Sequence, residues 1–324
     1  MYDIITFGSA TRDIVIKPRK LTSLKYNKDS SSEKEVCFPV GSKIDVEDIQ
    51  FYTGGGGTNT AVTFALQRFK TAFCGMVGND LAGGEIIEEL KKPKIDTSFV
   101  FKTSKKLTNH SVVILEQNHE RTILAYRGAS ELMEGKDIPW KKLNTKWIYI
   151  APLTGLALSS FADLLNFSKE HGIKIAANPS IAQLSLANFS DIAKNIDILL
   201  LNQEEASFLT KIPFENDQEI FKKLDEMCPG IAVMTKGGEG AVVSDGKSIY
   251  RAKPAEDRKI VDTTGAGDAF GSGFVSEFIV SGGDIEKSMQ FAMANSEGCI
   301  GQIGAKNGLL KKGEEFERVK VTKE

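Results

Sequence analysis

The chain has 324 residues, 41% of them hydrophobic and 26% charged, the balance of a soluble globular protein with room for one large α/β domain or two smaller ones. A formal net charge of −2 gives no whole-molecule field to draw nucleic acid or a membrane surface, so a small molecule read by a local site is the expected partner. Cys37, Cys74, Cys228 and Cys299 are scattered, with no CxxC pair and no Cys/His cluster at metal-ligand spacing, which predicts free thiols in a reducing cytoplasm.

The opening, Met1-Tyr2-Asp3-Ile4-Ile5-Thr6-Phe7-Gly8, lacks the basic start and long apolar core of a secretory leader, so none is expected. No apolar run reaches the roughly eighteen residues of a membrane span. Residues 4–7 read as a first strand. Residues 17–50 are different: Lys/Ser-rich text at 25–35 separates short apolar pieces such as Val36-Cys37-Phe38-Pro39-Val40. They read as strands and loops leaving the main fold, and 25–35 equally as a surface loop. After four glycines from Gly54, Ala61, Val62, Ala65, Leu66 and Phe69 recur at helical spacing. A strand at 72–77 and a helix through Ile86, Ile87 and Leu90 follow. A hairpin comes next, with strands at 111–115 and 122–126 and a polar turn at 117–120.

Strands are then expected at 146–150, 173–177, 197–201 and 231–234. Helices are expected near 158–170, 181–187, 203–210 and 217–227. Gly172 stands where a left-handed cap belongs, and Asp245-Gly246 reads as a hairpin turn. Strands alternating with helices predict a three-layer α/β/α fold with a mostly parallel sheet. Segments near 11–50 and 100–127 do not fit that rhythm and are expected to form a small β-sheet lid on a single domain spanning 1–324. Ligands of such sheets sit beyond the carboxyl ends of the strands.

Four segments carry chemistry. In Asp262-Thr263-Thr264-Gly265-Ala266-Gly267-Asp268 the glycines precede a helical apolar pattern through Ala269, Phe270, Phe274 and Val275. Free N–H groups and the helix dipole there favour an anion, and Asp268 can take a proton from an attacking hydroxyl. Phosphoryl transfer needs both parts; the segment also reads as a tight turn with a helix-start acid. It is not a dinucleotide fingerprint, because Phe270 stands at the third glycine position. Gly246-Lys247-Ser248 is not a P-loop end, because Ala241 replaces the first glycine. Gly54-Gly55-Gly56-Gly57-Thr58-Asn59 suits a ligand pressed on backbone, or a turn with a cap. Asn202-Gln203-Glu204-Glu205 follows a strand and suits metal-bound water and phosphate, or a helix cap. Thr235-Lys236-Gly237-Gly238-Glu239-Gly240, also after a strand, suits a nucleotide or a plain hairpin entry. His110, His119 and His171 stand singly.

Together these segments resemble the ribokinase (PfkB) carbohydrate kinases. Gly54 to Ala61, with Gly75-Met76-Val77-Gly78-Asn79-Asp80 and Gly83, looks like that family's N-terminal signature. Asp262 to Phe270, with Gly273 and Phe274, looks like its C-terminal signature. The two middle segments follow in the family's order, and the likeness spans roughly 3–305. The resemblance implies an ATP-dependent kinase acting on a hydroxyl of a sugar or sugar-like substrate, with a nucleoside or sugar-phosphate kinase or a non-catalytic regulatory relative as alternatives, Asp268 as base and Gly265, Ala266 and Gly267 as anion hole. It implies substrate contacts from Asp13, Gly55, Gly56 and Asn59, with Arg127 as a further candidate. Asn202, Thr235, Gly237, Gly240 and Asn295 would border ATP. Glu205 would hold Mg²⁺ through water, and Asp262 and Thr264, near Gly304-Ala305, would hold a monovalent cation such as K⁺. Arg12 replaces the usual Asn before the first-loop Asp; it would meet an acidic substrate or water. A homodimer through the lid is expected, since bare strand edges tend to be covered.

Overall fold

The computed structural model describes residues 1–19, 22–25, 34–115 and 121–324. β1 (Tyr2–Phe7) is followed by β2 (Thr11–Pro18), β3 (Thr22–Lys25), β4 (Lys34–Cys37) and β5 (Val46–Gly54), then α1 (Gly56–Leu66). β6 (Thr71–Gly78), α2 (Leu81–Lys91), β7 (Asp96–Thr103), β8 (Asn109–Leu115) and β9 (Arg121–Tyr126) come next. The regular alternation then runs β10 (Thr145–Ile150), α3 (Ser159–His171), β11 (Lys174–Ala177), α4 (Ile181–Leu184), α5 (Phe189–Ala193), β12 (Ile198–Asn202), α6 (Gln203–Thr210), α7 (Asp217–Met227) and β13 (Ile231–Thr235). The chain closes with β14 (Ala241–Ser244), β15 (Ile249–Ala252), α8 (Ala266–Val280), α9 (Ile285–Ile300) and β16 (Val321–Lys323).

Among the described residues the main sheet has the order β16-β15-β14-β13-β12-β11-β10-β1-β6-β7. β7, β6, β1 and β10 to β13 run parallel, and β14 to β16 turn antiparallel at one edge. β12 shows why both faces are covered. Leu199 and Leu201 enter a core with Phe7, Phe161 and Phe221, while Ile198 and Leu200 enter another with Tyr149, Phe270 and Phe274. The period of two thus feeds two cores at once, the mark of a buried parallel strand. Gly172 takes the left-handed cap position at φ 66°.

β5, β2, β8 and β9 form a second, smaller sheet. Two details differ from the sequence reading. Residues 100–103 belong to β7, paired parallel to β6, because Phe99 and Phe101 both face the main core. Residues 181–187 hold only the short α4, opened by a Ser180–Gln183 capping box, before α5 begins. β3 and β4 pair with each other as a separate ribbon. Most of the 25–35 stretch and the turn at 117–120 lie outside the described residues.

β1 pairs with β6 on one side and β10 on the other. Their carboxyl ends therefore open at a point where the sheet order reverses, the usual place for a ligand crevice.

Candidate active site

Gly265 caps α8 at φ 79°, and a Cβ there would lie 2.4 Å from Ala305 Cβ. Only glycine fits both the left-handed backbone and that approach. The helix holds because Phe270, Phe274 and Val275 pack against the main sheet, while Ala269 packs toward Cys299 and Leu309. A Cβ at Gly267 would meet nothing within 4 Å, so the first turn is open on its outer side.

Asp268, the acid of that turn, is half-buried. Asn59 Nδ2 donates to Asp268 Oδ2 at 2.8 Å, joining residues 209 apart. Burial pushes the Asp268 carboxyl above its ordinary range, and the Asn59 bond pulls partly the other way. Asn59 Oδ1 is buried with no hydrogen-bond partner among the described residues, an acceptor of the kind a ligand hydroxyl satisfies. Asp268 Oδ1 lies 3.3 Å from where a Gly56 Cβ would stand. The glycine turn before α1 is thus packed directly on this carboxylate.

Asp13 is buried on β2, and a Cβ at Gly54 would come within 2.1 Å of its Oδ2. Burial raises its pKa; a Ser111 hydrogen bond and the charge of Lys306 offset this. Strand alternation sends Arg12 to the other face. Arg12 Nη1 pairs with Glu85 at 2.8 Å and its guanidinium lies 5.3 Å over the Phe51 ring. It therefore meets neither bulk water nor the Asp13 side. Arg127 is exposed past the end of β9.

Beside the first turn of α8 lies a cleft of about 240 Å³, lined by Thr235, Gly237, Gly240, Arg258, Gly267 and Glu297 among others. A smaller cavity of about 90 Å³ is lined by Asn178, Asn202, Glu205, Thr235 and Gly267. Gly267 and Thr235 border both, so the two cavities meet at the first turn of α8. Asn202 and Glu205 form a capping box at the start of α6: Glu205 N donates to Asn202 Oδ1 and Asn202 N to Glu205 Oε2. Burial raises the Glu205 pKa. Asn295 is placed differently from the expectation. It is fully buried, donating to Ala269 O and accepting from Leu310 N, so both ends of its amide are spent joining α9 to α8 and to residue 310. Asp262 Oδ1 accepts from Thr264 N and Oγ1, and Asp262 Oδ2 from Gly304 N.

Residues 4–312 match the family model of the pfkB family carbohydrate kinases. The chain belongs to the pfkB family. It is 28% identical over 322 residues to a ribokinase of Lactococcus lactis subsp. lactis (strain IL1403), covering 97% of this chain and 96% of that one. In structure it resembles Arabidopsis thaliana ribokinase complexed with ribose and ATP, with TM-score 0.77, 23% identity and 96% of each chain covered. It also resembles a Burkholderia thailandensis nucleoside kinase in complex with inosine, with TM-score 0.74, 14% identity, and 96% and 95% coverage. The ribokinase-like fold and the carbohydrate-kinase class follow from these likenesses.

For a pfkB kinase, the sequence missed three residues at or beside the two cavities. Asn178, on the smaller cavity, donates to Leu200 O. Arg258 lines the larger one. Lys306 is buried beside Thr53 and Glu89, donating to Thr53 Oγ1 at 2.6 Å with Glu89 Oε1 at 3.5 Å. Burial pulls its pKa down to about 8 against the pull of Glu89 and Asp13. Its only sequence signal is that it follows Gly304-Ala305.

Proposed function

We propose that this pfkB kinase transfers the γ-phosphoryl group of ATP to a hydroxyl of a sugar, with Asp268 accepting the hydroxyl proton. One observation carries the reading. Asp268, held by Asn59 at 2.8 Å, sits in a helix first turn that is open at Gly267 and borders the larger cleft. A base and anion-binding N–H groups thus face one point, as phosphoryl transfer requires. Gly55, Gly56, Asn59 and Asp13 would hold the acceptor. Thr235, Gly237 and Gly240 would border the nucleotide, while Asn295 would act from behind by fixing α9. The small sheet would close as a lid and exclude water, which otherwise competes for the phosphoryl group.

Among the described residues no group of three or more His, Cys, Asp or Glu could hold a metal alone. Mg²⁺ keeps most of its waters and leans on substrate phosphates, so it needs few protein ligands. Glu205 and Asn202 would hold it through water, and its charge would offset that of the phosphates. The turn of Asp262 and Thr264, tied to Gly304, would hold a monovalent cation such as K⁺.

Assays with ATP and panels of sugars, nucleosides and sugar phosphates test the reading. Asp268→Asn is expected to lower kcat on the best acceptor by roughly 10³-fold or more while leaving ATP binding within a few-fold. Near-wild-type turnover by that variant would remove Asp268 as base. Turnover confined to nucleosides or sugar phosphates would move the acceptor class.

A further inference from the structure

We propose that Lys306 is a positioning residue for phosphoryl transfer, bolting the anion-binding turn of α8 to the base of the small sheet through Thr53 and Glu89. The proposal rests on the kinase reading above.

Residues 304–306 lie between the two halves of the site. On one side Gly304 N donates to Asp262 Oδ2 at 3.0 Å, and Ala305 packs so tightly on Gly265 that no Cβ fits between them. These contacts fix the segment to the turn that receives the phosphoryl group. On the other side Gly304 lies against the Tyr52 ring. Lys306 then reaches the next residue of β5, donating to Thr53 Oγ1 at 2.6 Å. Thr53 Oγ1 also meets Glu89 Oε1 at 2.6 Å, and Glu89 faces the ammonium at 3.5 Å. Residues 53, 89 and 306, from a sheet edge, a helix and a late loop, form one closed triangle.

Thr53 is where this matters. It immediately precedes Gly54, which packs on Asp13, and the glycine turn whose Gly56 touches Asp268. Any shift of Thr53 therefore moves the acceptor side of the site relative to the phosphoryl side. The same helix face carries a second tie four residues earlier, Glu85 to Arg12, and Arg12 is the register partner of Thr53 across β2 and β5. The sheet base is thus pinned to α2 twice, and only the Lys306 pin also reaches α8.

The choice of residue supports a directional role. The Lys306 side chain is 8% exposed, and an ammonium buried to that degree loses more hydration than a typical ion pair returns. An apolar side chain would fill the same space at lower cost. What it would not supply is a donor that fixes Thr53 at one distance and one angle. Lys306 acts through Thr53 and touches none of the reacting atoms.

Lys306→Met and Thr53→Val, singly and together, test this by steady-state kinetics with ATP and the best acceptor, on variants whose Tm confirms folding. Each single change is expected to lower kcat by roughly 10- to 100-fold with ATP KM changed less than about threefold, because misalignment penalises the reacting geometry more than either ground state. The double variant is expected to be no slower than the slower single one, since both remove one link. Lys306→Arg, which keeps charge and donors, is expected to recover part of the loss. Lys306→Met with kcat within about twofold of wild type, or losses that multiply in the double variant, would overturn the proposal. Should Lys306→Met not fold, Thr53→Val decides alone, and unchanged kcat there overturns it. A wild-type protein inactive on every acceptor would instead sink the kinase reading, and this inference with it.

Discussion

Asp268 and Asn59 set the pH behaviour of the site. As the proposed base, Asp268 would work as a carboxylate, so activity is expected to be lost as pH falls through its pKa. Burial raises that pKa, so the acid limb of kcat/KM is expected above the ordinary carboxylate value of about 3.9. The Asn59 hydrogen bond lowers it; Asn59→Leu is therefore expected to move the limb to still higher pH, as well as weakening the acceptor. A limb that stays in place, read from kcat/KM profiles, would break the coupling of the two residues. The same sign governs stability. A carboxyl with a raised folded pKa stabilises below its unfolded pKa and loses that contribution as pH rises through the folded one. Ionisation of Asp268 as pH rises through that raised pKa is therefore expected to work against folding. Asp268 was legible in the sequence because glycines, acid and apolar helix pattern lie within a dozen residues. Lys306 was not, because its partners Thr53 and Glu89 lie more than 200 positions away and no local pattern marks a buried lysine. Asn295 was read by resemblance as facing the nucleotide; its two backbone partners on α8 and at residue 310 turn it inward.

At the scale of elements, Asn202 and Glu205 at the start of α6 cap each other and border the smaller cavity, so the cap leaves the proposed binding role open to both. Asn202→Ala is expected to cost about 1 kcal/mol of stability through the lost cap, with a rise in ATP KM because Glu205 loses its anchor. Denaturation and kinetics on one preparation check both; an unchanged midpoint would remove the cap from the account. The main-sheet strands and longer helices were legible because apolar residues recur at two or 3.6 positions. β7 was not, since an edge strand beside a hairpin region has the same alternation as the hairpin, and only its partner β6 decides which sheet it joins. The helix expected at 181–187 stops after Leu184, and α5, at Phe189–Ala193, lies beyond the expected span.

At the scale of the molecule, the small sheet has an unusual outer face. Register aligns Phe51 and Ile49 with Ile14 and Ile16, those with Val112 and Ile114, and Val112 with Leu124. Phe51, Ile49 and Leu124 are 53%, 48% and 58% exposed. We propose that a second copy covers this face, because an apolar patch edged by the Arg12–Glu85 pair can be its own complement about a two-fold axis. Phe51→Glu is expected to give monomers in analytical ultracentrifugation at micromolar concentration. A wild-type monomer under those conditions would remove the dimer.

The site is shared between two sheets. Asp13 and Thr53 belong to the small one, whereas Asn59 and Asp268 ride on helices packed against the large one. On the proposed reading the base comes from α8, while the acceptor contacts are divided between β2 and the glycine turn that opens α1. Substitutions confined to β2 and β8 would then be expected to retune which hydroxyl is presented while leaving Asp268 and the α8 turn in place. Such a division lets a lineage exchange one metabolite for another without rebuilding its catalyst, provided the bolt at Lys306 still brings the two pieces into line.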